Sequence, residues 1–133
     1  MIAKVLYKDG LRTQAKHIQS GNTITTDAPT DNNGKGEAFS PTDLVASALA
    51  SCMLTIMGIK SAQLNISLEG ATAEVEKIMN SNPRRIAQIT IHIKAPLALD
   101  KKVQIMLEKA ALNCPVAKSL SEDLISKTHF SWL

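Results

Sequence analysis

The sequence predicts an α+β fold, and three observations carry that reading. Residues 2–8 alternate polar and apolar side chains and run into Asp9-Gly10, a hairpin signal. A largely apolar stretch, Leu44 to Ile59, follows a helix-start signal, and residues 66–78 and 86–95 then alternate again. Strands gathered before and after one long helix, rather than strict alternation of strand and helix, predict antiparallel sheets around a long central helix. At 133 residues the chain is expected to form one domain, residues 1–133.

The elements follow in order. After the turn at Asp9-Gly10, Leu11 to Ile18 returns antiparallel; Ser20-Gly21-Asn22 turns the chain again, and Thr23-Ile24-Thr25-Thr26 supplies a third strand. Residues 28–40, with Pro29, Asp31, Asn32, Asn33, Gly34 and Gly36, read as a long loop of the kind that often has a task. Ser40 is placed to cap a helix over about Pro41 to Ala62, with Pro41 at its first position and Asp43 near the positive end of its dipole. That helix is apolar nearly all the way round, so it is expected inside the molecule. Residues 66–78 and 86–95 form a second hairpin around Asn80-Ser81-Asn82-Pro83. Asp100 can cap a helix carrying Val103, Met106, Leu107, Ala110 and Ala111, Cys114-Pro115 starts a short helix to about Leu120, and Thr128 to Leu133 closes as a strand.

Composition excludes several functions. One Trp, one Tyr and two Phe leave few stacking platforms, and a net charge of +3 is scattered, so nucleic acid is not implied; Arg84-Arg85 reads as a solvated turn. The amino-terminal residues lack the apolar run of a secretory signal, and Leu44 to Ile59 is shorter than the roughly 20 residues that span a bilayer, so a cytoplasmic protein without a membrane partner is expected. His17, His92 and His129 are dispersed in strand-like segments and there is no Cys-x-x-Cys, so neither a metal site nor a cofactor is expected.

Chemistry is left to Cys52 and Cys114, the only cysteines. In a reducing compartment two cysteines form either free thiols or a transient, catalytic disulfide. From spacing alone, two inert core cysteines are the bland alternative to a redox pair. A thiol attacks peroxides as thiolate, and burial opposes that form, so Cys52 in mid-helix needs a cation from another segment. Arginine stays charged when buried, and Arg12, after the first turn, is the candidate among three arginines. Cys114, at a helix N-cap before Pro115, meets free N–H groups expected to favour its thiolate.

Ser40-Pro41-Thr42-Asp43-Leu44-Val45-Ala46-Ser47-Ala48-Leu49-Ala50-Ser51-Cys52 resembles the helix of the OsmC/Ohr proteins, and Asn113-Cys114-Pro115-Val116 resembles their second cysteine motif. The resemblance implies an intertwined homodimer and thiol-dependent reduction of organic hydroperoxides in oxidative or osmotic stress defence, with Cys52 peroxidatic and Cys114 resolving. It also implies a dithiol reductant such as a lipoylated protein, and no cofactor. Arg12 corresponds to the family's first-hairpin arginine. Ten positions before the cysteine, where hydroperoxide reductases of the family carry glutamate to hold that arginine, this chain has Thr42; Asp43 or Glu37 is the replacement expected. Leu49, Met53 and Ile56 are expected as apolar walls for an alkyl substrate. The alternative is a noncatalytic OsmC-like stress or small-molecule-binding protein with inert cysteines.

Overall fold

The computed structural model describes residues 1–133, which form two compact units, Met1–Val45 and Ala46–Leu133. In the first, β1 (Ala3–Tyr7), β2 (Arg12–His17) and β3 (Thr23–Asp27) make an antiparallel sheet in the order β1-β2-β3. The turn from β1 to β2 places Asp9, Gly10 and Leu11 all in the left-handed region, with φ between 61° and 65°. Gly10 is at ease there, and Asp9 helps by accepting the Gly10 N–H on its own carboxylate at 2.9 Å. The register set by the second turn lays Arg12 directly opposite Asp27.

The loop after β3 is ordered by its own backbone. A 3₁₀ turn at Thr30–Asn32 is followed by Gly34 N–H donating to the Pro29 carbonyl (3.0 Å) and Gly36 N–H to the Ala28 carbonyl (3.2 Å). A Cβ on Gly34 would lie 1.7 Å from the Ala28 oxygen, so only glycine fits. The loop's far end returns to the sheet through the Asp27 N–H, which donates to the Phe39 carbonyl at 3.1 Å.

Helix α1 (Pro41–Gln63) starts with a capping box: Ser40 Oγ accepts the Asp43 N–H and Asp43 Oδ2 accepts the Ser40 N–H, each at 3.0 Å. From Ala46 on, α1 belongs to the second unit with β4 (Thr72–Asn80), β5 (Arg85–Ala95), α2 (Lys101–Leu112), α3 (Pro115–Ser119) and β6 (Ile125–Trp132). The second sheet runs β4-β5-β6. Strand alternation sends Ile89, Ile91 and Ile93 of β5 into a core with Ala46, Leu49, Ala50, Met53 and Met57 of α1 and Leu107 and Ala111 of α2. Each fully buried aliphatic side chain there stabilises the unit by about 1.5–3 kcal/mol. Thr90, His92 and Lys94 stand on the opposite face.

Four expectations are corrected. β4 begins at Thr72 rather than residue 66, because Gly70 at φ 87° and the bond from Ala71 N–H to the Leu68 carbonyl make residues 68–71 a turn. The last strand begins at Ile125 and pairs parallel with β5, so the second sheet is mixed. Two helices separate β5 from β6, the length of crossover that a parallel pair requires. Asp100 occupies the N-cap of α2 without a side-chain bond. Finally, α1 is not covered all round: Ala46, Leu49, Ala50, Met53 and Met57 are buried while Ala48, Ser51, Thr55 and Ile59 remain exposed. By length and composition alone this helix could cross a membrane, yet one face is committed to the core.

Candidate active site

The second unit brings the two sulfurs together. Cys114 is fully buried in the core cluster, and half-buried Cys52 packs against that cluster from α1. Both are free thiols, and Cys52 is near enough to Cys114 to act on its proton. Local structure fixes the second sulfur: Cys114 is the N-cap of α3, Pro115 begins the helix, and Sγ accepts the Ala117 N–H at 3.4 Å.

The expected thiolate preference of Cys114 is overturned. Burial pushes this thiol above its ordinary 9.0, against the pull of the Ala117 N–H, and neighbouring Cys52 adds to the rise. A five-residue helix offers too few aligned peptides to offset a dry surrounding. In the reduced protein Cys114 therefore carries its proton at neutral pH.

The first unit builds the cationic group. Arg12 Nε donates to Asp27 Oδ1 at 2.7 Å and Nη2 donates to Asp27 Oδ2 at 2.8 Å, a bidentate fork. Nη2 also reaches Glu37 Oε2 at 3.2 Å, while the Glu37 N–H donates to Asp27 Oδ2 at 3.2 Å. Side-chain exposures of 1% for Asp27, 33% for Arg12 and 65% for Glu37 rank the two carboxylates: Asp27 holds the guanidinium and Glu37 touches it from solvent. Hydrogen bonds from Arg12 keep the Asp27 carboxyl below its ordinary 3.8 although burial works the other way. The same pairing raises the Arg12 guanidinium further, so it is charged at every accessible pH.

Asp27 was not among the candidates. Its signal was present: counting outward along two antiparallel strands from the turn at Ser20-Gly21-Asn22 arrives at Arg12 opposite Asp27. Of the expected carboxylates, Glu37 does meet Arg12, whereas Asp43 closes the capping box of α1, with Thr42 Oγ1 lying 3.2 Å from Ser40 Oγ. The expected apolar walls divide. Leu49 and Met53 are 0% and 1% exposed and fill the core, Met53 sulfur accepting from Thr128 Oγ1 at 3.8 Å, so they are packing residues; Ile56 is half-buried. No three His, Cys, Asp or Glu side chains converge where they could enclose a metal ion.

The family model for OsmC-like proteins matches residues 34–128, a span containing both cysteines and the whole of α1. The chain belongs to the OsmC-like family. A protein from Psychrobacter arcticus 273-4, provisionally described as an osmotic stress induced and detoxification response protein, is 52% identical with a TM-score of 0.95 over 98% of this chain and 95% of its own. The organic hydroperoxide resistance protein OsmC of Legionella pneumophila (19% identity, TM-score 0.77) and an OsmC-like protein of Mycoplasma pneumoniae (16%, TM-score 0.82) each match 98% of this chain and 95% of theirs. At those identities the two share the OsmC-like fold of two sheets and a long helix. A comparison with curated protein sequences finds no match.

Proposed function

We propose that this OsmC-like protein is a thiol-dependent peroxidase that reduces organic hydroperoxides to alcohols through Cys52 and Cys114. The observation that carries the reading is the meeting of the chain's only two cysteines at one core cluster, unbridged, one half-exposed and packed against it and one sealed inside it. The Cys52 thiolate attacks one peroxide oxygen; the O–O bond breaks, the alkoxide leaves and takes a proton to become the alcohol, and Cys52 becomes a sulfenic acid. Cys114 sulfur then attacks the oxidised sulfur, releasing water and forming the Cys52–Cys114 disulfide. An external dithiol reopens it and is itself oxidised to a disulfide; a lipoylated protein has that chemistry.

The proton distribution supports this order. Burial keeps the Cys114 proton in place in the reduced protein, which leaves the first attack to half-buried Cys52. Arg12, held by Asp27 and Glu37, is the proposed cation for the Cys52 thiolate. Ile56 is the wall residue proposed to favour alkyl hydroperoxides over hydrogen peroxide. We further propose a homodimer in the cytoplasm. Its support is the uncovered face of α1 and, on the first unit, the exposed Val5, Leu6, Tyr7 and Ile24.

Intact-mass spectrometry after one equivalent of an alkyl hydroperoxide tests the cycle. Wild type is expected to lose two hydrogens, and Cys114→Ser to gain one oxygen instead. If wild type and Cys52→Ser consume peroxide at the same low rate, the peroxidase reading fails and the noncatalytic one, which the complete burial of Cys114 favours, replaces it. Light scattering tests the dimer.

A further inference from the structure

Histidines far apart in sequence meet on the outer face of the second sheet. β5 and β6 run parallel with His92 in register with His129, and on the other side of β5 the partner of His92 is Glu74 of β4. One straight row across three strands therefore reads Glu74, His92, His129. The imidazoles stack with centroids 4.9 Å apart and planes inclined by 19°. His129 is exposed and His92 half-buried, so both are open to solvent.

The spacing suits one metal ion. With metal–nitrogen bonds of about 2.0–2.1 Å, the centroids of two imidazoles on one ion stand roughly 4.5 Å apart in a square-planar cis arrangement and roughly 5.2 Å in a tetrahedral one. The observed separation lies between these, so the pair has the spacing that one nitrogen of each ring needs to share an ion. No third His, Cys, Asp or Glu converges on the pair, so the two imidazoles are the protein ligands and water fills the remaining positions. Two imidazole nitrogens suit Zn²⁺, Ni²⁺ or Cu²⁺ rather than the hard cations Mg²⁺ and Ca²⁺.

We propose that His92 and His129 form a two-histidine surface site for a divalent first-row transition metal ion. The site is separate from the thiol chemistry and does not depend on it. Calorimetric titration of the untagged full chain carrying Cys52→Ala and Cys114→Ala with Zn²⁺ is expected to give one site per chain and no response to Mg²⁺. His129→Gln and His92→Gln each weaken it about tenfold or more, because each removes half of a chelate, whereas His17→Gln on the other sheet leaves it unchanged. The ring-proton NMR signals of His92 and His129 shift together on adding Zn²⁺. Binding that survives both substitutions, or no binding at millimolar Zn²⁺, overturns the proposal.

Discussion

The arginine clamp and the thiol pair meet opposite electrostatic problems. In the first unit a carboxylate is almost fully buried and stays charged, because a guanidinium grips both of its oxygens and a backbone N–H adds a third bond. In the second a sulfur is equally buried and stays neutral, because aliphatic side chains surround it and one long N–H bond is its main polar compensation. A strong partner decides whether burial fixes a charge or removes it. The clamp depends on the strand register that sets Arg12 opposite Asp27, and the thiol pair on packing density.

The sharpest way to break this contrast is at the sulfur. Cys52→Ser is expected to lower the rate of organic hydroperoxide consumption by about a thousandfold or more, measured with a saturating dithiol, while the Arg12 clamp is untouched. Next in size is the core: Ile91→Ala leaves a cavity that costs about 2–5 kcal/mol in urea unfolding, and the accompanying loosening brings Cys114 into reach of thiol reagents. Gly34→Ala tests the loop. Its new methyl meets the Ala28 carbonyl, so the chain around Glu37 must shift, and limited proteolysis is expected to cut residues 28–40 faster than in wild type.

Asp27→Asn keeps the shape and removes the charge. The carboxyl of Asp27 is lowered in the folded state, so its stabilising contribution is complete above the ordinary value of 3.8 and is lost as pH falls through the lower folded value. Wild type is therefore expected to lose stability in acid more steeply than Asp27→Asn when melting is followed from pH 6 to pH 2. Glu37→Gln is the smallest change, since a two-thirds exposed partner contributes little; its melting temperature and peroxidase rate are expected to stay close to wild type. If Glu37→Gln proves as damaging as Asp27→Asn, the ranking of the two carboxylates is wrong.

Much of this was legible in the residues. Alternation located three strands and turn signals two more, Ser40-Pro41 located the start of α1, and Cys114-Pro115 announced its own short helix, because these are local signals. Both cysteines could be chosen, since no others compete. The parallel pairing of β6 could not be read, as it depends on a crossover rather than on any turn, and without it His92 and His129 look unrelated. Asp27 is legible only through strand register, which brings it opposite Arg12 from fifteen positions away, whereas Asp43 and Glu37 stand near a helix start that is visible locally. Burial of Cys114 was underestimated for a different reason: a helix N-terminus is visible in sequence, while the side chains that dry it come from α1, β5 and α2.

The sulfur of Cys114 is also the fastener of α3, whose first turn it secures through the Ala117 amide. Any reaction that draws this sulfur toward another bond unlatches that turn. If this sulfur were bonded elsewhere, the change would be written in the backbone as faster amide exchange at Ala117.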